Sequence, residues 1–290
     1  MPRVTDVLLT ALAPAIWGST YIVTTELLPA GYPVTAAVLR ALPAGLLLLL
    51  IVRRLPAPAW WGKILLLGAL NFSIFWTLLF VAAYRLPGGV AATVGAVQPL
   101  LVIFMAQAVL NTPVRAVSVL AAVSGMAGVA LLVLTAEASL EPLGVAAALG
   151  GAVSMAAGTV LSRKWRPPVS ALTFTAWQLT AGGALLVPFA AWAEPSLPAL
   201  SAANLVGFLY LAVIGAALTY ALWFRGVSRI EPSAVSALGF LSPVTALLLG
   251  WVFLDQRLGA LQITGVLVVL ASVWLSQAAG RTARPALIVT

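Results

Sequence analysis

Ten continuous apolar stretches follow one another along this chain with only short breaks between them, at 7–28, 33–52, 61–83, 88–110, 114–134, 142–162, 170–192, 203–224, 232–254 and 260–278. An α-helix of about 20 apolar residues spans the hydrocarbon core of a bilayer. The stretches are unbroken rather than alternating, which excludes a β-barrel. Only 8% of the 290 residues are charged, against about 25% in a soluble domain. Nothing between the runs is long enough to fold in water. The expectation is an all-α integral membrane protein of ten transmembrane helices around a central cavity. The start, "MPRVTDVLLTALAPA", has the look of a signal peptide, but the apolar run continues past Pro14 through "IWGSTYIV". That is too long for an h-region, so it is read as the first span.

With ten crossings and the N-terminus in the cytoplasm, the basic residues sort by side. Arg3, Arg53, Arg54, Lys63, Arg115, Arg163, Lys164, Arg166, Arg225, Arg229, Arg281 and Arg284 fall inside. Only Arg85 and Arg257 fall outside, and Arg40 lies within a span. This is the positive-inside pattern. It accounts for the net charge of +8 through the lipid bilayer, with no nucleic-acid partner needed. Both termini are expected in the cytoplasm of a bacterium, with the chain in its inner membrane.

The chain has no Cys and no His. Disulfides, thiolate chemistry, the commonest metal ligand and the usual near-neutral proton carrier are therefore absent. No carboxylate lies deep in a span, so a catalytic acid–base pair has no candidates. No phosphate-binding G-x-x-x-x-G-K-[ST] loop is present either. The reading is a non-enzyme without cofactor or metal, driven by its substrate's own gradient or by a cation bound to hydroxyls and carbonyls.

An internal repeat organises the runs. A shift of 144 residues lays the third to fifth spans on the eighth to tenth without a gap: Phe80 falls on Phe224, Arg85 on Arg229, Gly95 on Gly239 and Pro99 on Pro243. A shift near 138 lays "LRALPAGLLLL" on "WQLTAGGALLV", so Arg40 meets Gln178 and Gly45 meets Gly183. The expected organisation is a first repeat over 1–134, a linker at 135–141, a second repeat over 142–278 and a cytoplasmic tail at 279–290. Five spans per half is an odd number, so the second half enters the membrane inverted. Such repeats mark secondary transporters that bind substrate near the midplane.

The stretches "AIWGSTYIV", "LR", "VGAVQPLLVIFMAQAVLNTPV" and "ALGFLSPVTALLLGWVFLDQRLGALQITGVLVVLASVWL" resemble the EamA-type drug/metabolite transporter superfamily over about 7–278. The resemblance implies a ten-helix bacterial exporter of amino acids or other small metabolites, with aromatic amino-acid exporters as one nearby type. The chain departs from the family's usual acidic Gly-Glu turn at Asn111-Thr112-Pro113.

Several residues are placed to meet a substrate. Pro99 and Pro243 interrupt the fourth and ninth spans, where proline removes a donor and forces a kink, and they are candidates for gating. Gln98 and Ser242 precede them. Trp17 and Tyr21 share a face of the first span at i, i+4 spacing. Asn71 and Phe75 lie on the third span, Trp177 and Gln178 on the seventh, and Tyr220 on the eighth. A core-packing stripe is the plain alternative for each aromatic group. Ala121, Gly125 and Gly128 form a small-residue stripe suited to structural support or a dimer contact, so a monomer or weak homodimer is expected.

Arg40 stands alone. A charge at mid-bilayer costs at least about 2.5–3.5 kcal/mol. Three readings account for it: a structural tie to helix carbonyls and Gln178, a cavity cation that attracts a substrate carboxylate, or a side chain that snorkels to the interface. The function expected is a carrier that exports amino acids, aromatic or other apolar ones included, or similar metabolites by alternating access. Carriage of drugs or nucleosides and a passive channel are the alternatives.

Overall fold

The computed structural model describes residues 4–86, 88–133, 141–254 and 259–281, apart from a few side chains, Tyr21 among them. The expected linker and tail fall mostly outside these residues. Every described element is helical, so the all-α expectation holds. Ten helices cross: α1 (Val4–Gly18, continued by Thr20–Leu27), α2 (Pro33–Val52), α3 (61–85), α4 (Gly88–Gly95 and Gln98–Leu110), α5 (Ala116–Val133), α6 (Pro142–Lys164), α7 (Ala171–Ala193), α8 (202–227), α9 (232–253) and α10 (Ala260–Arg281). Nine of the spans are at least 18 residues long and apolar; the remaining crossing is α1, whose first segment is shorter. With ten crossings, α1 begins and α10 ends on the same side, called here the terminal face.

Local chemistry sets the helix limits. Pro33 and Pro142 open α2 and α6 at positions where the missing N–H is no loss. Ser170 and Ser201 cap α7 and α8 through their hydroxyls. Asn111 closes α4 in the left-handed region at φ 55°, which asparagine tolerates, and Pro113 prevents continuation. The departure from an acidic turn thus leaves the helix end intact.

Helix pairing follows the repeat. α2 packs along α7 and α5 along α10; α3 packs on α6 as α8 packs on α1. Lipid supplies no hydrophobic drive between helices, so close backbone approach has to hold them together. At the α2–α7 crossing, a Cβ on Gly45 would come within 2.4 Å of the Thr180 backbone and one on Gly183 within 2.7 Å of the Leu42 backbone. Leu42 and Thr180 are themselves related by the 138-residue shift. Ala121, Gly125 and Gly128 are buried inside the chain against α10 and Phe240, so the small-residue stripe serves α5–α10 packing.

Helix irregularities repeat too. A wide π-turn at Ala69–Ser73 in α3 has its counterpart at Val213–Leu218 in α8, 144 residues on. The break in α4 after Gly95 matches a 3-10 turn at Leu238–Phe240 in α9. Pro99 and Pro243 follow these breaks in the first turn of the continuing segments.

Candidate functional site

π-turns expose backbone groups and recur at functional positions. Here each one receives the polar residue of the opposing half. Arg40 Nη2 on α2 donates to the Gly215 carbonyl in the α8 π-turn at 2.8 Å. Asn71 Nδ2, in the α3 π-turn, donates to Gln178 Oε1 on α7 at 2.8 Å. Asn71 falls on Gly215 under the 144-residue shift, as Arg40 falls on Gln178 under the other. One junction is therefore built twice, once with a guanidinium on a carbonyl and once with two amides.

The two copies differ in their openness. Asn71 and Gln178 are fully buried, and Ser162 completes a closed triangle, donating to Gln178 Oε1 and accepting from Asn71 Nδ2, both at 3.2 Å. Arg40 is only half-buried, with its guanidinium carbon 5.3 Å above the Trp76 ring. A carbonyl acceptor and an aromatic face offset part of the cost of the charge. Of the three readings for Arg40, the carbonyl tie is therefore present, but Gln178 is no part of it: Gln178 is taken by Asn71.

Around Arg40 the aromatic residues converge. Tyr220 lies 4.8 Å from both Trp17 and Phe72, measured between ring centroids, and 6.3 Å from Trp76. Trp17 also lies 5.2 Å from Trp223. Trp17 Nε1 donates to Thr219 Oγ1 at 2.9 Å, and Thr219 in turn donates to the Gly215 carbonyl at 2.8 Å. Trp17 and Arg40 are thus joined through one π-turn oxygen. Phe75 packs on the margin of this group.

Other expected site residues lie apart. Trp177 Nε1 donates to the Arg54 carbonyl at 2.6 Å and packs with Ile64 and Leu67 near the terminal face. Gln98 and Ser242 are half-buried at the breaks in α4 and α9; a Cβ on Gly18 would meet the Ser242 carbonyl at 2.5 Å. Tyr21 lies outside the described side chains. Sequence reasoning did not single out Gly215 and Thr219, and it gave Phe72 no part. The 144-residue shift places Asn71 on Gly215, but nothing in the sequence marked the π-turn at either position.

Two clefts flank the site, and they too are related by the repeat. Pro33, Val34, Thr77, Phe80, Arg85 and Glu194 line part of one, open to the face opposite the termini, with about 810 Å³ of space. The other, on the terminal face, has about 340 Å³ and includes Val169, Ala171, Phe174 and Phe224. Ala171 falls on Pro33 and Phe224 on Phe80, so these are equivalent entrances, one wide and one narrow. Phe174 meets Phe224 at 6.4 Å in the narrow one. Arg163 on α6 further ties that face, donating to the carbonyls of Val227 and Ile230.

A ten-helix bundle with doubled breaks and two opposed entrances is the architecture of a membrane transporter. The sequence profile of the EamA-like transporter family matches residues 5–134 and 142–277. The chain is 45% identical over 267 residues to Protein PecM of Dickeya dadantii, covering 91% of this chain and 90% of that one. It is 24% identical to a probable amino-acid metabolite efflux pump of Salmonella typhimurium, covering 97% of each. A crystal structure of a protein 20% identical superposes with a TM-score of 0.82 over 96% of this chain and 99% of that one, which shows a shared fold. The chain belongs to the EamA-like transporter family; it is a transporter and not an enzyme.

Proposed function

We propose that this protein is a carrier of the bacterial inner membrane that exports amino acids, apolar and aromatic ones included, by alternating access between two inverted five-helix repeats, 1–134 and 142–278. The observation that carries this is the unequal pair at the π-turns. Gln178 is sealed by Asn71, whereas Arg40 is half-buried beside an aromatic group, and Thr77, next to Trp76, lines the wide cleft. A guanidinium there offers a carboxylate two parallel donors, and the rings suit an apolar side chain. Excess Lys and Arg on the terminal face supports a cytoplasmic location for both termini, which makes the wide cleft the outer one. The 24%-identical relative named as an amino-acid metabolite efflux pump supports the substrate class.

Tracer counterflow tests the reading. Proteoliposomes preloaded with single amino acids, nucleosides or cationic drugs are challenged with labelled substrate. Accumulation of labelled phenylalanine or leucine only in amino-acid-loaded vesicles is the expected result. Exchange confined to nucleosides or cations refutes the substrate class. Flux without counterflow makes the protein a channel.

A further inference from the structure

Ion pairs stand at the two faces in equivalent places but in unequal condition. On the terminal face, Arg225 Nη2 and Arg229 Nη1, at the end of α8, donate to Asp6 Oδ1 in the first turn of α1 at 2.5 and 3.1 Å. On the other face, Arg85 Nη1 at the end of α3 reaches Glu141 Oε1, just before α6, at 3.4 Å. Arg85 falls on Arg229 under the 144-residue shift, and Asp6 and Glu141 each stand at the start of the first helix of a half. Each pair therefore bridges one half to the other. The Asp6 side chain is 9% exposed, whereas Arg85 and Glu141 are 47% and 39% exposed.

The condition of each pair follows the width of its entrance. The doubly bonded cluster, in which Asp6 is buried and Arg225 and Arg229 are 27% and 49% exposed, stands at the same end of α8 as Phe224, Val227 and Ser228, which line the narrow cleft. The long, exposed pair lies beside the wide one of about 810 Å³, whose lining includes Arg85 itself. Among the basic positions one substitution separates the two copies: Arg225 falls on Val81, so the outer pair lacks a second guanidinium.

The geometry points to a pair of alternating clasps. Asp6 with Arg225 and Arg229 holds the cytoplasmic entrance shut while the outer one is open. Arg85 and Glu141 tighten to shut the outer entrance when the cytoplasmic clasp parts. Arg225 is the residue that tips the resting molecule toward the outward-open state. A carboxylate held between two guanidiniums with little water is hard to leave unpaired, whereas an exposed single pair contributes little. The imbalance therefore favours the state seen here. This inference rests on the carrier reading for its purpose, but its test needs no substrate.

The chain has no native Cys, so single reporters are clean. Full-length protein in nanodiscs carries either Thr77→Cys in the outer cleft or Ala171→Cys in the inner one, and the labelling rate with a polar maleimide reads each opening. Asp6→Asn and Arg225→Val are expected to raise the inner-to-outer labelling ratio about fivefold or more, the scale of a typical coupling between two states. Arg85→Gln is expected to lower it, and the swap Arg85→Glu with Glu141→Arg to restore it. The clasps are refuted if folded Asp6→Asn protein keeps the wild-type ratio. They are equally refuted if Arg85→Gln moves the ratio the same way. Should Asp6→Asn not fold, Arg225→Val decides alone, since valine already occupies that place in the other half. A ratio that responds as expected, in protein that exchanges no substrate, keeps the clasps and defeats the carrier reading.

Discussion

The two entrances are built from matching positions of one repeat, yet one is wide and the other narrow. The contrast shows how a near-symmetric bundle comes to rest in one state. At the narrow end, Phe174 and Phe224 bring two rings to 6.4 Å. At the wide end Phe80 is kept, but the place of Phe174 is taken by Ala36 under the 138-residue shift. Arg163 holds two carbonyls across the terminal face. Side chains at matching positions thus differ between the two mouths in the sense that the openings differ.

The deepest difference between the halves is Arg40 against Gln178, and it offers the largest effect. If Arg40 holds the substrate carboxylate, Arg40→Gln lowers the rate of amino-acid counterflow by about 100-fold, the scale of losing one partner of a buried charged hydrogen bond. Thermal unfolding in detergent is expected to change far less. A variant that still exchanges at the wild-type rate leaves Arg40 as a tie to Gly215 alone. Gln178→Leu sharpens the comparison from the sealed side. It removes the buried acceptor that Asn71 and Ser162 share and destabilises by about 1–3 kcal/mol, read as a lower unfolding midpoint, while the substrate affinity of surviving protein stays near wild type.

At the entrances the expected effects are smaller. Phe174→Ala gives the narrow mouth the composition of the wide one, and labelling at Ala171→Cys rises about threefold, a population change of less than 1 kcal/mol. The smallest effect falls on the outer rim. There Glu194 accepts from the Val34 and Thr35 backbone at 2.6 and 2.8 Å, capping α2 from the end of α7. Glu194→Ala removes that cap and costs about 1 kcal/mol, measured as a lower melting temperature with exchange retained.

Much of this architecture was legible beforehand. The ten spans were visible in the unbroken apolar runs because lipid leaves the backbone few alternatives to helix. The pairing of Arg40 with Gln178 and of Pro99 with Pro243 was visible as well, since the repeat is carried in register. The α1 break at Ser19 was not, and neither were the π-turns. An apolar sequence gives no periodic signal for one extra residue in a turn. Trp177 shows the same limit. Its place on the seventh span beside Gln178 suggested the cavity, but its indole lies against the Arg54 carbonyl, a contact made by the chain just after α2 ends.

The sequence by itself determined that the chain spans a membrane ten times, that its halves correspond, and that one cation lies in the apolar interior. Those properties follow from composition and spacing, which the bilayer reads without reference to distant contacts. Only the tertiary structure decided what Arg40 touches, which aromatic rings gather around it and which entrance stands open. Each of these depends on where helices from opposite halves meet, and side chains 175 or 202 residues apart become neighbours only when both halves have packed.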